Sequence, residues 1–433
     1  MKLSEELLWR GFSAETTIKD PAFLDEKKDK SFYWGADPSA DSLTIGNLAA
    51  LMMCACFVRH GYKPYLLVGG ATGQIGDPKD TKERDLKPIE EVEHNKRCIK
   101  AQIERCLCNA SVDKDGKQKN IDLTMVDNYD WFKDMKYIDF LRTVGKAFSM
   151  TQLMDRKFIQ SRMGEGGSGI SYAEFSYTLI QGYDFYHLYN QYGIDLQLCG
   201  ADQYGNCSSG ISLIRKLAGG EANVWSTPLV IDPVSGRKFG KSEGNAIWLA
   251  NYAVERPKEV VAAGEEEFSP NYTSVFDFYQ FWLNQADTAV EYLLKIYTVY
   301  DKETVDSILA EHAKDPSKRV AQKALAKGAT EVVHGYEAAK SVIALSEKLF
   351  AKDATFSDQD IEQAAIVLPV KPISVSLVDD LVSTGLALSK KEARQFIKSG
   401  AISVNGVKIT DESKVTNAPA ILKKGKNKFA VVK

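Results

Sequence analysis

The stretch FYWGADPSADSLTIGNLAALMMCACFVRHGYKPYLLVG, Phe32 to Gly69, decides the fold. It reads as a strand over Phe32–Ala36, a turn at Asp37-Pro38, a helix over Ile45–His60 and a second strand over Tyr65–Gly69. A strand, a helical return and another apolar strand form the repeating unit of a parallel α/β sheet. The unit recurs downstream, with strands expected at Ile121–Val126 and Ile194–Cys199. Helices are expected at Ile89–Leu107, Tyr137–Val144, Tyr172–Tyr192 and Asp202–Leu217.

Beyond this the pattern changes twice. From Val275 to Leu349 strand signals disappear, and FDFYQFWLNQ and AAKSVIALSEKLF keep helical spacing. A polar stretch with Pro369 and Pro372 then reads as a linker. The tail has two helical pieces broken at Gly385, followed by AISVNGVKI. Asn405-Gly406 between alternating residues predicts a hairpin. The expected domains are 1–235, 236–350 and 371–433, with a linker at 351–370.

The 433 residues are 44% hydrophobic and 26% charged, which excludes disordered, collagenous and disulfide-scaffold classes. The net charge of −3 hides an asymmetry. From Lys371 onward twelve Lys/Arg face five Asp/Glu, so a basic module follows an acidic body, which suits a polyanion. Seven cysteines make no Cys-x-x-Cys pair and no metal-ligand spacing with the five histidines. Free thiols in a reducing compartment are expected, and with an acidic, helix-like N-terminus the reading is cytoplasmic. The apolar run Leu48–Val58 is too short to cross a bilayer.

Three segments offer themselves as phosphate sites. GEGGSG (Gly164–Gly169) satisfies a dinucleotide fingerprint but follows a polar helical stretch, so it reads as a surface loop. GRKFGKS (Gly236–Ser242) lacks the first glycine of a P-loop. YWGADPSADSLTIGNL (Tyr33–Leu48) runs from a strand into a helix start, whose free N–H groups suit phosphate.

Taken together, YxGxDPxADSLxxGxL, GGATGxIGDP (Gly69–Pro78), FSYxxxQxYDF (Phe175–Phe185), GADQYGN (Gly200–Asn206) and KFGKS (Lys238–Ser242) resemble a bacterial-type tyrosyl-tRNA synthetase. That family belongs to the class I aminoacyl-tRNA synthetases. The tail is similar to the S4-like RNA-binding domain ending many of its members. The resemblance implies a Rossmann-like catalytic domain, an α-helical anticodon-binding domain and a small α+β S4-like domain. It implies activation of L-tyrosine by ATP and transfer to tRNA(Tyr). Mg²⁺ would arrive with ATP, with no tightly bound cofactor or dedicated metal site. A cytoplasmic homodimer without membrane or DNA partners is expected.

By the same resemblance, Tyr33 and Asp184 hold the substrate phenol, Asp77, Tyr177 and Gln181 its ammonium group, and Gln203 lies near its carboxylate. Tyr177, Gln181 and Asp184 share one helix face by spacing, which also suits a structural polar seam. Gly35, Asp37, Ser39, Gly46, Gly200 and Asp202 are expected around ATP, although Asp202 equally suits a helix N-cap. Lys238, Lys241 and Ser242 would stabilise charge on pyrophosphate, and KFGKS alone would read as a solvated basic turn.

The family usually carries His-Ile-Gly-His where this chain has Thr44-Ile45-Gly46-Asn47. Thr44 can still bond a phosphate oxygen and Asn47 can donate through its amide, so TIGN is read as a working variant. Lys79, Lys82 and Arg84 suit either pyrophosphate or solvent. Lys390, Lys391, Arg394 and Lys398 form a basic helix side after the N-cap Ser389, expected to meet RNA phosphates. Three competing readings are a synthetase-like RNA-binding protein with weakened catalysis, a tryptophanyl-tRNA synthetase, and an unrelated nucleotidyl transferase.

Overall fold

The computed structural model describes residues 1–78, 85–112, 120–154, 157–164, 167–231, 236, 239, 241–242, 245–251, 271–351, 355–413, 416, 418–425 and 427–433. They divide into two compact units. The first holds residues up to Ala246 with Asn271 and Glu291–Tyr300; the second holds 247–251, Tyr272–Val290 and Asp301–Lys433.

The first unit is built on five parallel strands: β1 (Ser31–Ala36), β2 (Lys63–Val68), β3 (Thr124–Asp127), β4 (Leu196–Gly200) and β5 (Asn223–Thr227). Their spatial order is β3-β2-β1-β4-β5. The order reverses direction between β1 and β4, and the crevice beyond the strand ends at such a point is the ligand position of doubly wound sheets. Four helices matter for it: α1 (Ile45–Arg59), α2 (Ile89–Ala110), α3 (Tyr172–Tyr192) and α4 (Tyr204–Ala218).

Every residue of α1 from Leu48 to Phe57 is buried, which explains why this helix has an apolar run where an amphipathic stripe is usual. Tyr33, Phe185, Leu188, Cys199, Cys207 and Val224 share one core cluster with α3 and α4. The strands and helices predicted from the sequence are present within a few residues. Strand β5 is an addition. Its NVWST is short and half polar, and the N-terminal segment completes it, with Trp225 Nε1 donating to the Phe12 carbonyl at 2.6 Å.

In the second unit, helices Val275–Leu283, Lys302–Lys314, Val320–His334 and Tyr336–Leu349 match the expected helical region. The stretch expected to be a linker instead carries helix Asp358–Val367 and strand Val370–Lys371. Its polar residues are a cap: Ser357 Oγ accepts from the Asp360 N–H at 3.3 Å, and Ile361, Ala364 and Val367 bury one face. The tail folds as helices Leu377–Ser383 and Lys390–Lys398 on a sheet that includes the hairpin Ile402–Val404/Val407–Ile409. Asn405 and Gly406 both have positive φ, as the tight turn demands. Val370–Lys371 adds to this sheet in parallel beside Lys428–Val432. Among the described residues no helix is long and apolar enough to cross a membrane.

Candidate active site

The site is assembled at the C-terminal ends of β1 and β4. Tyr33 on β1 is 2% exposed, with its ring 5.2 Å from that of Phe185. Among the described residues its hydroxyl makes no well-formed hydrogen bond. Burial pushes this phenol well above its ordinary pKa, and the nearby Cys207 and Asp184 add to the rise, although the Gln197 side chain on β4 lies near enough to oppose it. A neutral hydroxyl is therefore held at the sheet end, able both to donate and to accept.

Asp184 on α3 is also 2% exposed. Its carboxylate accepts from Trp131 Nε1 at 2.9 Å and from Asn128 Nδ2 at 3.1 Å. Burial raises its pKa well above the carboxylate range, against the opposing pull of those two donors. Asn128 continues the chain of bonds. Its Nδ2 also reaches Thr72 Oγ1 at 3.0 Å, and its Oδ1 accepts from the Ala71 N–H at 2.7 Å. Thr72 donates to Asp37 Oδ1 at 2.6 Å, and Tyr177 donates to Asp37 Oδ2 at 2.7 Å. One network thus runs from Trp131 through Asp184, Asn128, Thr72 and Asp37 to Tyr177.

Glycine is required where this network crosses the backbone. A Cβ on Gly69 would collide with Thr72 and Asp37, and one on Gly70 with Asp127. Asp127 itself is fixed by Lys96 at 2.8 Å and by the Gly70 N–H at 3.1 Å.

A second cluster stands beside the first. Gln203 Nε2 donates to Asp77 Oδ2 at 3.0 Å, while Gln203 Oε1 accepts from Asn206 at 3.2 Å and lies 3.5 Å from Gln181 Nε2. The buried Oε1 of Gln181 has no partner among the described residues. Burial and the charges of Asp37 and Asp77 also raise the Tyr177 phenol well above its usual pKa, so it stays a donor. The buried, unmet Gln181 oxygen and the half-buried Asp77 carboxylate together favour a cationic guest with several N–H donors.

Toward α1 the side chains become sparse. Asn47 Oδ1 accepts from both the N–H and the hydroxyl of Thr44, each at 3.0 Å. Its oxygen is thereby used at the helix start, and the donating end of the amide is the one available to a ligand. An added methyl on Gly35 or Gly46 would meet only ordinary contacts, Leu67 at 3.6 Å and Thr44 at 3.5 Å. The protein itself therefore does not demand glycine there. At Gly200 a Cβ would lie 2.6 Å from Asp202 Oδ1, the end of an exposed side chain that can turn away. Asp202 is exposed in a 3₁₀ turn, Ala201–Gln203, and is not a helix cap. Ser39 is exposed, its N–H bonded to the Asp37 carbonyl at 2.8 Å.

Lys238 lies outside the described residues, as do Lys79, Lys82 and Arg84. Lys241–Ser242 pairs as a short strand with Asn245–Ala246. Phe239, between the two lysines in sequence, is buried with its ring 6.0 Å from that of Tyr297. The Tyr297 hydroxyl donates to the Ile45 carbonyl at 3.0 Å.

Among residues that sequence reasoning does not single out, Thr72 and Asn206 sit inside the motifs GGATGxIGDP and GADQYGN. Asn128, Trp131 and Tyr297 carry no local signal. In the second unit, the Lys390 ammonium pairs with Asp379 at 2.6 Å. Arg394 and Lys398 reach Glu412 at 4.0 and 3.9 Å. Lys391, Arg394, Gln395, Lys398 and Ser399 line a shallow groove on this helix.

Known proteins share this architecture. The family model for tRNA synthetases class I (W and Y) matches residues 25–261 and 265–351, and that for the tyrosine–tRNA ligase SYY-like C-terminal domain matches 360–433. Tyrosine–tRNA ligase 2 of Bacillus cereus is 38% identical over 448 aligned residues, covering 100% of both chains. The tyrosine–tRNA ligase of Geobacillus kaustophilus is 39% identical, again over 100% of both. Among solved structures, a C-terminally truncated mitochondrial tyrosyl-tRNA synthetase of Aspergillus nidulans has a TM-score of 0.67 at 27% identity, covering 81% of this chain and 94% of that one. With both halves matched in order along its full length, this chain belongs to the tyrosine–tRNA ligase family of class I tRNA synthetases.

Proposed function

We propose that the crevice between β1 and β4 activates L-tyrosine with ATP and that the chain then transfers the tyrosyl group to tRNA(Tyr). The observation that carries the substrate assignment is the buried Tyr33 hydroxyl, without a well-formed hydrogen bond, beside the Asp184 carboxylate. An orphaned buried hydroxyl costs about 1–3 kcal/mol, which a phenolic guest bridging both groups removes. Indole has one N–H donor and no acceptor, so it would leave the Tyr33 proton unpaired; phenylalanine would leave both groups unpaired.

In the first step the tyrosine carboxylate attacks the ATP α-phosphate, the bond to the β-phosphate oxygen breaks, and pyrophosphate leaves. In the second, the tRNA 3′-terminal ribose hydroxyl attacks the adenylate carbonyl and AMP leaves. Neither step needs a protein nucleophile, so the residues act by placement and charge stabilisation. Asp77, Tyr177 and Gln181 receive the substrate ammonium group, and Gln203 sits by its carboxylate. Gly35, Asp37, Ser39, Gly46, Gly200 and Asp202 frame the nucleotide. Thr44, Asn47, Lys238, Lys241 and Ser242 meet the phosphates, with Mg²⁺ arriving on ATP. The groove lined by Lys391, Arg394 and Lys398, with Lys390 nearby, meets tRNA phosphates. A cytoplasmic homodimer completes the reading.

Amino-acid-dependent exchange of pyrophosphate into ATP tests it. Tyrosine should support exchange, and Tyr33→Phe should weaken tyrosine while narrowing its preference over phenylalanine. Exchange driven by tryptophan and not by tyrosine overturns the assignment.

A further inference from the structure

The segment joining β1 to α1 carries Asp37, Ser39 and Thr44, and a chain turning from strand end to helix start has backbone groups that neither element can satisfy. Asp41, Ser42 and Leu43 are buried there, out of reach of bulk water. The missing partners come from α2. Gln102 Oε1 accepts from the Leu43 N–H at 2.9 Å, and Gln102 Nε2 donates to the Asp41 carbonyl at 3.0 Å. The Ser42 hydroxyl lies 3.4 Å from the same Oε1. Gln102 is 3% exposed, so its amide stands in for a neighbouring peptide group inside the protein.

A second amide on α2 continues the clamp. Asn95 Nδ2 donates to the Pro38 carbonyl at 3.1 Å, and Asn95 is equally buried. Positions 95 and 102 are two helical turns apart and so face the same way. The loop is fixed at both its ends: at Pro38, next to Asp37, and at Leu43, next to Thr44. Asn271 holds the Asp41 carboxylate through its N–H at 3.0 Å and its side-chain amide at 2.8 Å.

We infer that Gln102, backed by Asn95, is a positioning residue for the ATP-handling half of the site: it sets where Ser39 and the Thr44–Asn47 helix start stand over the crevice. The inference rests on the reading of Thr44 and Asn47 as phosphate-side groups. Gln102 touches neither substrate, and the phenol-binding pair stands on other elements, Tyr33 on β1 and Asp184 on α3. Gln102 holds the Leu43 end of the loop, whereas Asp37 at its start is held separately by Thr72 and Tyr177, so loss of Gln102 changes ATP kinetics and leaves tyrosine affinity nearly unchanged. Glutamine is the side chain the geometry demands, because the loop offers one donor and one acceptor two residues apart. Glutamate would keep the bond from Leu43 but turn an oxygen toward the Asp41 carbonyl.

The test measures pyrophosphate exchange and tyrosine affinity in Gln102→Glu, Asn47→Ala, Lys241→Ala and the double variant Gln102→Glu/Asn47→Ala. A small misplacement of reacting groups costs about ten- to a hundredfold in rate. Gln102→Glu should lose at least about tenfold in kcat/KM for ATP, with the tyrosine Kd within about twofold. The double variant should fall little below the worse single one, because both act at one helix start. Unchanged exchange in Gln102→Glu, an equal loss of tyrosine affinity, or additive losses each overturn the inference. Full exchange in both Asn47→Ala and Lys241→Ala overturns the ATP-side reading and the inference with it. A collapse there with Gln102→Glu unaffected overturns the inference alone. Should Gln102→Glu fail to fold, Gln102→Met, which keeps the length of the side chain and removes both bonds, takes its place with the same expected split.

Discussion

The Tyr177 hydroxyl donates to Asp37 Oδ2 at 2.7 Å, so a residue expected at the substrate ammonium and one expected around the nucleotide are bonded to each other. Asp37 is thereby shared: Thr72 ties its other oxygen to the chain of bonds reaching Asp184. The two ends of the proposed tyrosine site are thus joined by one chain of hydrogen bonds.

Removing this bond should be felt at the amino end first. Tyr177→Phe keeps the ring and leaves Asp37 with one donor fewer. A hydrogen bond to a charged group contributes about 1.5–3 kcal/mol. Tyrosine affinity should fall about ten- to a hundredfold in a fluorescence titration, with KM for ATP changing less.

Asp184 predicts opposite pH trends for binding and for stability. Its folded-state pKa lies above the ordinary carboxylate value because of burial. The folded protein therefore holds this proton more tightly than the unfolded chain, and the stability so gained is fully present below the unfolded pKa. It diminishes as pH rises through the raised folded value. On the proposed role of the carboxylate as acceptor, tyrosine binding should run the other way and weaken as pH falls through that same value. The midpoint should lie above the normal range near about 3.9. Tyrosine titrations and thermal unfolding across pH, in the native chain and in Asp184→Asn, check both signs, since the variant should lose the Asp184 share of each dependence.

Asn128 is the joint of the network, and changing its amide to a carboxylate is more damaging than removing it. Asn128→Asp turns a donor to Asp184 into a second buried anion facing it, which raises the pKa of the pair further. Tyrosine affinity should drop more in Asn128→Asp than in Asn128→Ala. The gap should close at low pH, where the pair is protonated.

The basic helix, proposed to meet tRNA phosphates, allows RNA binding to be tested apart from the chemistry. Lys391 lines the groove, whereas Lys390 is engaged by Asp379 at 2.6 Å. Lys391→Ala should weaken tRNA binding and lower the steepness of its salt dependence by about one unit, as expected when one phosphate is no longer neutralised. Tyrosine-dependent pyrophosphate exchange should be unchanged, and filter binding at several salt concentrations measures the difference.

Read alone, the amino-acid chain specifies the parallel sheet, the helix that follows the Asp37-Pro38 turn, the hairpin at Asn405-Gly406 and the motif residues. These follow from period, turn chemistry and local order, which neighbours along the chain enforce. Ser357 and Asp360 read as linker residues although they cap a helix, because a cap and a linker share the same polar composition. Nothing local points to Asn128 or Trp131, which stand more than fifty residues from Asp184 and act on it only once β3 lies against β2. The same holds for Gln102, which completes the backbone of a loop some sixty residues earlier. Hydrogen bonds between distant side chains leave no periodic trace. The pairing of donors with acceptors in the crevice is therefore set only when the elements pack, where burial makes each unmet partner costly.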